Sequence, residues 1–169
     1  MVELIAGNIC SLMAMITDSV SASRKTARGV LLVQTLSQLF YGMSAIILKG
    51  YSAAVQNGVS LVRNILAVSK YRQKLKWLEM TLILTGVVLG FCFNNMGVIG
   101  LLPIIASSEY ALAVYFFEND ERALKIAFLI NAVLFGVFNG AILNVVGVIA
   151  NIIVVISITA FLIRDRKSK

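Results

Sequence analysis

Six of the polar residues inside long apolar runs could do chemistry: Asn57, Asn64, Asn144, Asn151, Arg63 and Glu109. An amide in hydrocarbon is costly without a partner, so the asparagines either line a site for a polar solute or bond helices together. Both readings stay open. Two helical turns take about 7.2 residues, so residues seven apart share nearly one face. Asn57 and Asn64 form one polar stripe, and Asn144 and Asn151 form a second with the same Asn-x6-Asn spacing. Arg63 and Glu109 fall at similar depth, where an ionised group usually pairs or lines a wet cavity. They are expected to form either an ion pair that ties the bundle together or a gate at the inner end of a solute cavity. Gln38 and Asn131 fall near the middle of their own apolar runs and are further lining candidates.

Several chemistries are excluded by what is missing. The chain has no His, which removes an imidazole base, a His-ligated metal and a His proton relay. Cys10 and Cys92 sit in apolar stretches without metal-ligand spacing and read as small packing residues. No paired carboxylates, no cysteine-centred constellation and no phosphate-binding G-x-x-x-x-G-K-[ST] occur. Neither an enzyme nor a resident cofactor or metal is expected.

The elements that must position these residues follow from composition. The 169 residues are 59% hydrophobic and 14% charged, with a mean hydropathy of +0.91. Soluble chains are nearer about half apolar and a quarter charged. Seven spans of about 20 residues would use about 140, leaving only short links. The apolar runs are 4–20, 29–48, 51–68, 77–93, 97–117, 123–138 and 141–163. An all-α integral membrane protein of seven transmembrane helices is expected, with the lipid bilayer as its first partner. The net charge of +7 comes from basic clusters between apolar runs, which speaks for membrane orientation and against nucleic acid.

Those clusters fall on one side. Links one, three and five and the tail hold Arg24, Lys25, Arg28, Lys70, Arg72, Lys74, Lys76, Arg122, Lys125, Arg164, Arg166, Lys167 and Lys169, against Lys49 alone on the other side. Short basic loops stay cytoplasmic, so the N-terminus is expected outside and the C-terminus inside. The asparagine spacing also suggests an internal repeat. At an offset of 87, Asn57 falls on Asn144, Asn64 on Asn151, Ile65 on Ile152 and Val68 on Val155. The natural division is 3+1+3: residues 1–76, a linker helix at 77–96, and residues 97–169. A single linker crossing makes the two triplets parallel, with a pseudo-twofold axis along the membrane normal.

These residues carry a resemblance. A seven-span, 3+1+3, N-out chain with paired asparagines on spans three and seven resembles the SWEET / PQ-loop superfamily. Asn57-Gly58-Val59-Ser60-Leu61-Val62-Arg63-Asn64, the basic Ser23-Arg24-Lys25-Thr26-Ala27-Arg28 and Leu101-Leu102-Pro103 look like the small bacterial inner-membrane family YgjV. The resemblance implies a bacterial inner-membrane location and a site where asparagines of the two halves face each other across a central cavity. The PQ dipeptide is missing, and Pro103 is the only proline, so it alone stands for the family's hinge prolines.

The expected function is a transporter or permease for a small polar solute, neutral or anionic, working by alternating access to a midplane site. A sugar, a nucleoside and a vitamin precursor fit equally, and assembly of several copies stays open. The alternative is a non-transporting membrane partner, sensor or assembly protein on the same fold. The orientation is checked by a cysteine at Lys169: it should react in intact cells only with membrane-permeant reagents, and labelling by an impermeant reagent would reverse the topology.

Overall fold

The protein was analysed as a computed structural model, which describes residues 1–22, 27–69, 72–117 and 120–167. Arg24, Lys25, Lys70 and Lys169 of the orientation count, and Ser23 and Thr26 of the YgjV resemblance, lie outside the described residues. Seven α-helices account for most of the rest: α1 (Val2–Ala22), α2 (Ala27–Ile47), α3 (Tyr51–Val68), α4 (Lys76–Cys92), α5 (Leu101–Phe116), α6 (Glu121–Ala141) and α7 (Val145–Lys167). A 3₁₀ turn, Arg72–Leu75, leads into α4, and no strand occurs among the described residues. Helices are what hydrocarbon demands, because they satisfy the backbone within one segment.

By length and composition, Val2–Val20, Arg122–Ala141 and Val145–Arg164 are each sufficient to cross a membrane. Helices α3, α4 and α5 are shorter, at 18, 17 and 16 residues. At about 1.5 Å per residue, 16 residues reach about 24 Å, somewhat less than a hydrocarbon core of about 30 Å.

Helix α2 packs between α1 and α3, and α6 between α5 and α7. Helix α3 also lies against α5, and α7 against α1, so six helices close a ring in the order α1, α2, α3, α5, α6, α7. Helices α3 and α7 occupy opposite positions in it. Helix α4 touches only α3 and α5 among the seven helices. One end of the bundle gathers the N-terminus, the α2–α3 and α6–α7 turns and the α4–α5 loop; call it the first end. The C-terminus lies at the second.

The α2–α3 and α6–α7 hairpins have the same local design. Helices α2 and α6 both contain 21 residues, and Ile47 and Ala141 close them 94 positions apart. Lys49 and Leu143, also 94 apart, both take left-handed backbone, with φ of 60° and 57°. Each ends its helix in a Schellman turn. The Gly50 N–H bonds the Ala45 carbonyl at 2.8 Å and the Lys49 N–H bonds Ile46 at 3.1 Å. The Asn144 N–H bonds Asn139 at 2.9 Å and the Leu143 N–H bonds Gly140 at 3.2 Å. The two hairpins are thus 94 residues apart, whereas the asparagine alignment has an offset of 87. At 94, Asn57 falls on Asn151 and Asn144 on Gly50. The two offsets differ by seven residues, about two helical turns, and so keep nearly the same phase.

Close approach comes from small residues, as expected where packing and interhelical bonds replace a hydrophobic drive. Ser11 and Ser44 bond across α1 and α2 at 2.8 Å, and Ser44 also donates to the Gly7 carbonyl at 2.8 Å. At the first end Phe138, 0% exposed, packs with Ala45, Ala53 and Ile142, while Leu48, Met96, Ile99 and Leu102 surround this cluster. A Cβ on Gly50 would lie 2.8 Å from the tip of the Phe138 ring. Because that ring is enclosed, Gly50→Ala should destabilise the protein by about 1–3 kcal/mol. Gly58→Ala, where a Cβ meets nothing within 4 Å, should be neutral or stabilising by up to about 1 kcal/mol. Denaturation in detergent micelles compares the two, and equal melting of both variants would contradict the Phe138 packing.

Candidate functional site

Two asparagines outside the predicted set fix the first end. Asn8 of α1 donates to the Leu143 carbonyl at 3.2 Å, and its Oδ1 accepts from the Val146 N–H at 3.0 Å. Asn95 of the α4–α5 loop donates to the Lys49 carbonyl at 2.7 Å. In both turns the acceptor is the residue forced into left-handed backbone, a conformation costing a non-glycine residue about 1–2 kcal/mol. Each bond also joins the three helices α1–α3 to the later part of the chain. Lys49 adds an exposed ion pair with Glu3, at 3.4 Å, of the kind worth about 0–1 kcal/mol.

The predicted asparagines divide by role. Asn144 is the N-cap of α7: its Oδ1 accepts from the Gly147 N–H at 3.0 Å and its amide donates to Asn139 Oδ1 at 3.0 Å. It is buried at 3% exposure, and its hydrogen bonds are structural. It lies in the turn between α6 and α7 and not along a span. Asn151 donates to the Gly147 carbonyl of its own helix at 2.8 Å. Asn131 donates to the Ala106 carbonyl at 2.9 Å and links α6 to α5. Asn57, Asn64 and Gln38 are half-buried and make no side-chain hydrogen bond among the described residues. Asn57 and Asn151 share one local setting, since a Cβ on Gly42 would meet the Asn57 Cβ at 3.6 Å and one on Gly136 the Asn151 Cβ at 3.4 Å.

Arg63 and Glu109 do not pair; Glu3–Lys49 is the salt bridge found among the described residues. The reason is helical phase on α5. Ser107, Ser108 and Ala111 form one stripe, which lines a small cavity with Arg63, Ser60 and Gln56 of α3 and Ile83 of α4. Ile105, Glu109, Leu112 and Phe116 form another stripe about 100° further round, lining an open groove that Ser108 also borders. Matched depth therefore did not bring the two charges together. Glu79 of α4 is the carboxylate that acts on Arg63 electrostatically, and one Glu109 oxygen is buried without a partner.

Pro103 is the third residue of α5 and nearly fully buried. In the first turn a missing N–H breaks no helical bond, so this proline starts a helix and does not hinge one. Gln56, absent from the predicted set, donates to the Gly86 carbonyl of α4 at 2.8 Å. As a glutamine inside an apolar span it carried the same signal as Gln38, and Asn8, inside the run 4–20, carried it too. Asn95 lies in a link and carried none, because turn contacts depend on tertiary pairing.

An all-helical bundle with large apolar side chains exposed along its helices, such as Leu84, Val88, Ile153 and Ile156, has the character of an integral membrane protein. The chain belongs to the Imp-YgjV family of bacterial inner membrane proteins, whose model matches residues 5–169. No curated protein and no solved structure matches it.

The capping and free asparagines should separate on mutation. Asn144→Ala removes the α7 cap and leaves buried Asn139 without its donor, which should cost at least about 1–2 kcal/mol. Asn57→Ala breaks no bond and should stay within about 0.5 kcal/mol. Equal destabilisation in detergent melts would contradict this division.

Proposed function

We propose that the protein is a transporter or permease for a small polar solute, built as two parallel three-helix units with α4 as linker. The observation that carries this reading is the correspondence of Asn57 and Asn151. They lie 94 residues apart on α3 and α7, which face each other across the ring, and each lies against an equivalent glycine, Gly42 or Gly136. Contacts between the units support it. The α1–α7 and α3–α5 pairs exchange under a twofold rotation, as parallel repeats require. In this reading residues 1–76 and 97–169 are the units, and the first end is the outer one, with the basic links and tail cytoplasmic.

Burial supports a state closed to the outside. Phe138, Ser44, Ser52 and Pro103 are fully enclosed toward the first end, and the asparagine bonds to Lys49 and Leu143 latch it. Access to Asn57 and Asn151 is then from the cytoplasmic side, and transport requires the first-end contacts to break and re-form. The fold resembles the SWEET / PQ-loop plan in this arrangement, and neither an enzymatic step nor a resident cofactor is needed.

Reconstitution into liposomes tests the proposal with a panel of labelled sugars, nucleosides and vitamin precursors. At least one solute should enter well above empty vesicles. Asn57→Ala and Asn151→Ala should each lower that uptake about tenfold, the loss of roughly one hydrogen bond to the solute, with little change in melting. If no solute moves, the non-transporting membrane partner or sensor is the better reading.

A further inference from the structure

The cavity between α3, α4 and α5 has a chemistry of its own. Its wall carries Arg63 and the hydroxyls of Ser60, Ser107 and Ser108, with Gln56, Val59, Ile83 and Ala111 completing it. The guanidinium makes no salt bridge or hydrogen bond among the described residues. Its five N–H donors are thus left free at a depth where an uncompensated charge is expensive. The α-helix directs a side chain toward its own N-terminus, which carries Arg63 up toward Ser60 and Gln56 and away from the second end.

The three hydroxyls are free in the same way. Thr17, Ser19, Thr81 and Ser157 all donate back to the carbonyl four residues earlier in their helices. Ser60, Ser107 and Ser108 make no hydrogen bond among the described residues, although the same backbone acceptors are within reach. A permanent cation and three uncommitted donors therefore converge on one space, and Gln56, 3% exposed, closes its upper wall. Two further groups face Arg63: Glu79 from α4 and Tyr110 from α5, both beyond salt-bridge or hydrogen-bond contact. Glu79 moderates the positive potential without cancelling it.

We propose that this cavity is a binding site for a single small anion of halide size, held by Arg63 and the hydroxyls of Ser60, Ser107 and Ser108. The volume bounds the size: about 10 Å³ is room for one water-sized particle, so a halide, somewhat larger than water, seats with a small outward shift of the lining side chains. A sulfate, a gluconate or a solute carboxylate with its carbon skeleton does not fit. The bound anion supplies the charge that Arg63 lacks and joins α3 to α5 at one of the two contacts between the helix triplets. The site stands independently of the transport reading.

Thermal unfolding of the purified full-length protein in detergent tests this, with sodium chloride or bromide titrated against sodium gluconate at constant ionic strength. Chloride and bromide should raise the midpoint saturably by about 2–5 °C, the size of shift expected when a ligand binds only the folded state, and sulfate should not. Arg63→Gln should abolish the halide-specific shift, and the Ser60→Ala, Ser107→Ala, Ser108→Ala triple variant should weaken halide affinity about tenfold or more. If Arg63→Gln yields no folded protein, the triple variant decides, since it keeps the charge and the core. The proposal is overturned if gluconate and chloride act alike on the wild type. It is equally overturned if the halide shift survives in the triple variant with unchanged affinity.

Discussion

A polar group in hydrocarbon is costly unless another group answers it, and at the first end the two turns are answered from within the chain. Two helix ends hold left-handed residues, Lys49 and Leu143. Asn95 and Asn8 donate to their carbonyls. Once those bonds exist, α1 must lie beside α7, and the α4–α5 loop beside the α2–α3 turn. The close packing of Phe138 against Gly50 then follows. The ring of six helices is a consequence of this stitching more than of any single apolar contact, because lipid offers apolar surface as readily as protein does.

In the proposed repeat the two triplets carry different polar equipment. In the first, Ser37 donates to Asp18 across α1 and α2. At the corresponding place in the second, Asn131 reaches the Ala106 backbone. Arg63 has Ser157 as its counterpart at the 94-residue separation, and Asn64 has Ile158. Asn57 and Asn151 are an asparagine pair at that separation, and the proposed solute site rests on them.

Much of the architecture was legible in the sequence, because the period and length of apolar runs report directly on helices. Seven runs gave seven helices, and the short Gly-containing links became tight turns. The residue-level sites were less legible, for three physical reasons. Register along a helix repeats nearly every seven residues, so offsets of 87 and of 94 both bring an asparagine onto an asparagine. Depth in the membrane says nothing of azimuth, so Arg63 and Glu109 matched in height yet point from different stripes. An asparagine in a turn reads like one in a span until the cap is seen, as with Asn144. Family membership gives the inner membrane as the setting, while transport rests on the geometry of Asn57 and Asn151.

The central claim is that the three helices α1–α3 meet the later part of the chain through α1 with α7 and through the α2–α3 turn with the α4–α5 loop. Cross-linking in native membranes tests it most directly, using variants with Cys10 and Cys92 replaced by alanine and cysteines introduced in pairs at Asn8 with Val146 and at Asn95 with Lys49. A short bismaleimide should join both pairs within one chain, each protecting the chain against separation after a protease cut in the link between α3 and α4. Failure of both pairs to join, while a control pair at Ser11 and Ser44 within the first triplet reacts, would contradict the account.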